Sequence, residues 1–167
     1  MSKEISRPTY LKAIDPYIGK DLIKVFTGQR RVGKSSLMRL VMDKIYLTNP
    51  TAHQIFIDME DYQFSNLKSD RDLYAFVETQ KRVGQNILFV DEIQEIEHFE
   101  KAIRSLNATG QFDIYLTGSN AHLLSKELST LLAGRSVEIE VHGLVFPEFL
   151  EFHQMSHSLD SLKSYLK

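Results

Sequence analysis

The chain has 167 residues, 43% hydrophobic and 25% charged, the size and composition of one compact domain rather than of a disordered segment. It contains no cysteine, which excludes disulfide frameworks and thiolate metal or redox sites. Its net charge of −2 carries no basic excess that would announce nucleic acid. No apolar run approaches the roughly 18 residues of a membrane span, and MSKEISRPTY lacks the apolar stretch of a secretory signal, so a soluble, cytoplasmic domain with no membrane partner is expected.

Short apolar runs alternate with segments of helical spacing along the chain. The first run, LIKVFTG at 22–28, precedes a helical segment, Ser35–Tyr46, with Leu37, Leu40, Val41 and Ile45 on one face and Lys44 at its margin. A linker with Pro50 leads to HQIFIDME at 53–60, then a polar patch at 65–70. A helix from Asp72 to Lys81 aligns Leu73, Phe76, Val77 and the stem of Lys81. NILFVDEI at 86–93 is followed by a helix carrying Phe99, Ile103 and Leu106, then by FDIYLTGS at 112–119 and SVEIEVHGL at 136–144. The first four runs are apolar enough for strands buried on both faces. Strand and helix in alternation predict an α/β domain of three layers around a mainly parallel sheet. The expected organisation is a core over 1–152 and a tail over 153–167, the latter an amphipathic helix or the start of a region of a longer protein.

GQRRVGKS, Gly28 to Ser35, fits G-x-x-x-x-G-K-S/T at every fixed position and lies between a strand and a helix, the setting this motif requires. Glycines let the backbone curl so that its N–H groups face a phosphate chain, and the following helix adds its positive end. Gly28, Gln29, Arg30, Arg31, Val32, Gly33, Lys34, Ser35 and Ser36 are therefore the candidate phosphate-binding segment. Lys34 is suited to the β- and γ-phosphates, and the Ser35 hydroxyl to Mg²⁺. Arg30 and Arg31 either assist or are simply solvated.

Ile87–Val90 lead into Asp91 and Glu92, which places two carboxylates at the carboxyl edge of a buried strand. Asp91 suits Mg²⁺, a hard cation that prefers oxygen; Glu92 is placed to polarise a water in line with the γ-phosphate. Asp58, Glu60 and Asp61 end the second run at an equivalent edge, where ion-site support or capping would explain them. Glu95, Glu97 and Glu100 read as a solvated first helical turn. Thr117, Ser119 and Asn120 close the fourth run and either sense the γ-phosphate or cap a helix. Arg135 is either an exposed turn residue behind Gly134 or an arginine that stabilises transition-state charge, in cis or from a neighbouring copy in a homo-oligomer. The histidines show no metal-ligand spacing, and basic residues are not interleaved with aromatics as nucleic-acid stacking would need.

The order GQRRVGKSS, ILFVDEIQ, IYLTGSN and LLAGRSVEIEVHGLVFPEFL resembles an AAA-type ATPase core. More narrowly, it resembles a prokaryotic family of ATP-binding proteins that join this core to a C-terminal domain of unknown function. The resemblance spans Arg7 to Phe152 and implies a five-stranded parallel P-loop core with strand order 5-1-4-3-2. It implies Lys34 and Ser35 as phosphate and metal ligands, Asp91 as the metal aspartate, Glu92 as the catalytic glutamate and Ser119 or Asn120 as the sensor. It also implies Arg135 as an arginine finger. A C-terminal region that binds DNA or protein is a separate possibility. Mg²⁺-dependent ATP binding and hydrolysis within a larger regulatory or motor-like ATPase is the expected function. ATP is preferred because no N-K-x-D guanine-reading segment occurs, and Tyr10 in the lead-in Arg7–Ile14 is a candidate adenine contact. A non-hydrolysing ATP switch and a small-molecule phosphotransferase are the alternatives.

Overall fold

The computed structural model describes residues 5–119 and 134–166. After a short helix, α1 (Pro8–Ile14), strand and helix alternate: β1 (Ile23–Thr27), α2 (Lys34–Thr48), β2 (His53–Asp58), α3 (Asp70–Gln80), β3 (Asn86–Asp91), α4 (Phe99–Ala108) and β4 (Phe112–Gly118). Then follow β5 (Ser136–Glu140), α5 (Phe146–His153) and α6 (Leu159–Tyr165). The strands form one parallel sheet in the order β2-β3-β4-β1-β5, as the resemblance implies.

Sheet position explains the burial of each run. Every residue of β1, β3 and β4 is buried, because these three are central and covered on both faces. The expectation of full burial fails at β2, where only Ile55 and Ile57 are buried and the other positions are partly exposed, because it is the edge strand. On one face, Val25, Leu88, Val90, Ile114 and Leu116 pack with Leu73 and Val77 of α3 and Ile103 and Leu106 of α4. On the other, Phe26, Phe89 and Tyr115 pack with Ile14 of α1 and Leu37, Met38, Val41 and Ile45 of α2. Each such fully buried aliphatic side chain contributes about 1.5–3 kcal/mol of transfer free energy.

Three local readings change. Ser69 starts α3 through a capping box with Asp72, so the polar patch at 65–70 is partly a helix signal, and Lys81 is the exposed C-cap, paired with Glu78 at 2.6 Å. Glu95 belongs to a 3₁₀ turn and Glu97 pairs by backbone with Lys68 and Asp70, both before α4; Glu100 is on α4 but buried at 8% exposure. The tail holds α6, yet Leu159 and Leu162 are exposed, and its contact with α5 runs through Tyr165 against Phe146 and Phe149, centroids 5.4 Å apart in both pairs.

A buried ion pair lies beneath α1 and α2. Lys24 on β1 donates to Asp113 on β4 at 2.5 Å and to the Lys20 carbonyl at 2.7 Å. The other Asp113 oxygen accepts from the Gly19 amide and the Tyr115 hydroxyl. Burial pulls the Lys24 ammonium below its ordinary value against the opposing pull of Asp113. The pair fastens the lead-in to β1 at the amino edge of the sheet.

Candidate functional site

The carboxyl edge of the sheet is where β1 turns into the glycine loop. Gly28 has a φ of 140°, and a Cβ there would lie 2.2 Å from the Val141 carbonyl oxygen. The close approach follows from β5 continuing past Glu140, with the Val141 amide donating to the Thr27 carbonyl at 2.7 Å. Gly33, at φ 93°, is the N-cap residue of α2, so the loop ends on the positive end of a helix of 15 residues. A cleft of about 830 Å³ opens above it, lined by Arg30, Arg31, Gly33, Lys34, Ser35, Ser36, Glu60 and Glu92. Val32 and the exposed Gln29 complete the segment, and the Gln29 carbonyl accepts from the Lys34 ammonium at 3.1 Å.

Lys34 is 3% exposed, and its Nζ lies 3.6 Å from Glu92 Oε1. The sequence-predicted carboxylates are thus brought to the phosphate loop. Asp91 ends β3 and is hydrogen-bonded by the Ser35 and Thr117 side chains. Burial raises its carboxyl above the usual range, against those two hydrogen bonds. Glu92 holds a left-handed φ of 53°, which turns its side chain off the strand line into the cleft. Burial alone would raise its carboxyl; hydrogen bonds from Gln94 and Ser119 and the Lys34 charge outweigh burial and hold it low.

Thr117 resolves its two readings in favour of a third. Fully buried on β4, its hydroxyl donates to Asp91 Oδ1 and accepts from the Glu92 amide at 2.9 Å. It orients the Asp91 carboxylate and pins the Glu92 backbone. Gln94 donates to Glu92 Oε2 and to Ser119 Oγ at 3.3 Å, which brings Ser119 to the site; Asn120 lies outside the described residues. Nothing in the DEIQ run marks Gln94 for a role, because the contact depends on the left-handed turn at Glu92.

Other candidates separate. Glu60 lines the cleft, whereas Asp58 accepts from the Glu60 amide and lies 3.7 Å from Arg39, and Asp61 caps the 3₁₀ turn Tyr62–Phe64. Arg135 is exposed and precedes β5, with its carbonyl bonded to Ile23. It therefore sits at the amino edge, a strand length on the order of 15 Å from the phosphate loop, and outside this chain's own cleft. A second cavity of about 300 Å³ adjoins the loop, lined by Ile5, Arg7, Arg31, Val32, Gly33, Ser36, Gly143, Leu144 and Phe152. Tyr10 does not line it; its hydroxyl accepts from the His142 amide and its ring lies under Arg7. Among the described residues, no group of three or more His, Asp or Glu side chains could hold a metal by itself. The Asp91 and Ser35 oxygens fit Mg²⁺, which takes few protein ligands and completes its shell with phosphate and water.

These features define a P-loop nucleotide-binding domain. The chain belongs to the AAA domain family, whose model matches residues 20–150. An uncharacterized protein of Haemophilus influenzae is 37% identical over 154 residues, covering 90% of this chain and 38% of that protein. One of Methanocaldococcus jannaschii is 35% identical over 153 residues, covering 90% and 32%. The chain thus spans about a third of the length of the relatives it matches. Among solved structures, the Aeropyrum pernix ORC1 protein in complex with DNA superposes with a TM-score of 0.67 at 12% identity, covering 98% of this chain and 51% of that one. AMPPCP-bound DnaA of Aquifex aeolicus superposes with a TM-score of 0.59 at 16% identity, covering 98% and 56%. No helix among the described residues is long and apolar enough to cross a membrane.

Proposed function

We propose that the domain binds Mg-ATP at the glycine loop and hydrolyses it, as the core, residues 1–152, of a larger regulatory or motor-like ATPase. The observation that carries this reading is the convergence of Lys34, Ser35 and Glu92 on one cleft at the carboxyl edge of the sheet, with Asp91 hydrogen-bonded behind Ser35. The triphosphate lies along the amides of Gly28 to Ser36, and Lys34 exchanges Glu92 for the β- and γ-phosphates. Ser35 and Asp91 hold Mg²⁺, which neutralises phosphate charge when bound. Glu92, released from Lys34, takes a proton from the water that attacks the γ-phosphorus as the bond to the ADP oxygen breaks. Ser119 holds the γ-phosphate or that water. The purine enters the 300 Å³ cavity between Ile5, Val32 and Phe152; AMPPCP, bound in the DnaA neighbour, is an adenine nucleotide.

Arg135 acts in this reading on the nucleotide of a neighbouring copy, because its own cleft lies at the opposite edge. Turnover of the wild type, Glu92→Gln and Arg135→Ala across a protein concentration series tests the assignment. Glu92→Gln should lose on the order of 10²–10⁴-fold in rate while still binding. Wild-type specific activity should climb with concentration, and Arg135→Ala should remove the climb. Equally negligible rates for wild type and Glu92→Gln with binding retained would return the domain to a non-hydrolysing switch, equal measurable rates would remove Glu92 from catalysis, and concentration-independent turnover would return Arg135 to the surface.

A further inference from the structure

We propose that Arg7 and Glu148 form a relay that couples nucleotide occupancy of the phosphate loop to the C-terminal helices α5 and α6; this rests on the nucleotide reading above. Glu148 belongs to the FPEF segment after β5, which neither phosphate binding nor hydrolysis uses.

Arg7 is 3% exposed and held at a left-handed φ of 39°, a conformation that a non-glycine residue keeps only when its surroundings over-determine it. The guanidinium supplies that determination, and among the described residues its hydrogen bonds all leave the lead-in. Nη1 donates to the Val32 carbonyl at 2.9 Å. Nη2 donates to the carbonyls of His142 at 2.8 Å and Gly143 at 3.3 Å, and to Glu148 Oε2 at 3.3 Å. Nε reaches Glu148 Oε1 at 3.5 Å. Tyr10 backs this arrangement: its ring centroid is 4.6 Å from the guanidinium carbon, and its hydroxyl accepts from the His142 amide at 3.0 Å. One residue after β5, His142, is therefore held at both its amide and its carbonyl by the lead-in.

Each end of the relay meets a part that can respond. Val32 immediately precedes Gly33 and Lys34, the residues that reorganise when a triphosphate draws Lys34 from Glu92. Arg7 Nη1 lies 3.4 Å from where a Cβ on Gly33 would stand, so the loop and the guanidinium are in contact at the phosphate end. At the other end, Glu148 Oε2 also accepts from the Val145 amide at 3.1 Å, so one carboxylate both caps α5 and pairs with Arg7. No residue of α5 is buried, and its Phe152 lines the cavity beside the loop. Phe146 and Phe149 then carry α5 onto Tyr165 of α6. A planar guanidinium spreads its donors over three nitrogens and so reaches carbonyls and a carboxylate that lie apart; an ammonium donates from one nitrogen and does not span them.

Hydrogen exchange of the 167-residue chain with and without Mg-AMPPCP tests the relay, alongside calorimetric affinities, for wild type, Arg7→Lys and Glu148→Gln. In wild type, the nucleotide should add protection over residues 28–36 and over 146–165. Both variants at saturating ligand should keep the first and lose the second, and the affinity of Glu148→Gln, which lines neither cavity, should fall roughly 2- to 30-fold, since coupling of this kind is reciprocal. A merely structural staple would lower protection equally with and without ligand and leave the ligand-induced difference intact; that result overturns the relay. So does a wild type that gains protection at 28–36 only. Absence of any response at 28–36 would overturn the nucleotide reading and the relay with it. If Arg7→Lys does not fold, Glu148→Gln decides alone, because its amide oxygen still accepts from Val145 and it does not line either cavity.

Discussion

Thr117→Val is the sharpest probe of how the two carboxylates are set. The substitution keeps shape and removes one hydroxyl at a fully buried position. Two bonds go with it: the one donated to Asp91, and the one accepted from the Glu92 amide at 2.9 Å. A lost hydrogen bond to a charged group costs about 1.5–3 kcal/mol, and a buried N–H left unpaired about 1–3 kcal/mol. Because one hydroxyl serves both, a combined loss of about 2–4 kcal/mol is expected. With an m-value of about 2 kcal/mol/M, the urea midpoint should fall by about 1–2 M. Thr117→Ser keeps the hydroxyl and loses a methyl, for about 1 kcal/mol. Urea unfolding of the three proteins without nucleotide or metal gives the order: wild type, then Ser, then Val. A Val variant as stable as wild type, with Ser the weaker, would mean that packing rather than the hydroxyl matters there.

Gly28→Ala should be severe, because a left-handed φ of 140° coincides with a contact of 2.2 Å to a backbone oxygen. A loss of about 2–5 kcal/mol is expected, against about 1 kcal/mol for Gly110→Ala, where φ is 65° but no atom lies within 4 Å; equal melting temperatures would refute the close approach to Val141. Hydrogen bonds from the Ser69 side chain and the Ser69 and Lys68 amides hold the Asp72 carboxyl below its ordinary value. A group with a depressed folded-state pKa adds stability above its unfolded value, near 3.9, and loses it as pH falls through the folded value. The stability gap between wild type and Asp72→Asn should therefore close as pH falls below about 4; a gap independent of pH in acid titrations would remove the capping account.

How much was legible in the sequence follows from the range of each interaction. The glycine loop is local: strand, loop and helix occupy consecutive residues, so their pattern carries the site. Asp91 and Glu92 follow from a run of four apolar residues ending in acids. The Lys24–Asp113 pair joins residues 89 positions apart, and a lysine within a strand gives no sign of where its partner is. Glu100, read as solvated, is buried because the preceding segment pairs with Lys68 and Asp70 before α4 begins. Arg7 and Glu148 are 141 positions apart, and only the folded lead-in crossing the phosphate loop brings them together. Gln94 was visible in DEIQ, but its contact with Glu92 needs the left-handed turn at φ 53°, for which a non-glycine residue gives no signal.

The measurement that bears most directly on the central claim is Mg-ATP binding by calorimetry, wild type against Lys34→Ala. Lys34 is nearly buried beside Glu92 with its ammonium at the loop, so its removal should take at least a hundredfold, about 2.7 kcal/mol, from the affinity and bring binding below detection. Unchanged affinity in Lys34→Ala, or no binding by a folded wild type, would contradict the assignment of Gly28 to Ser36 as the phosphate site.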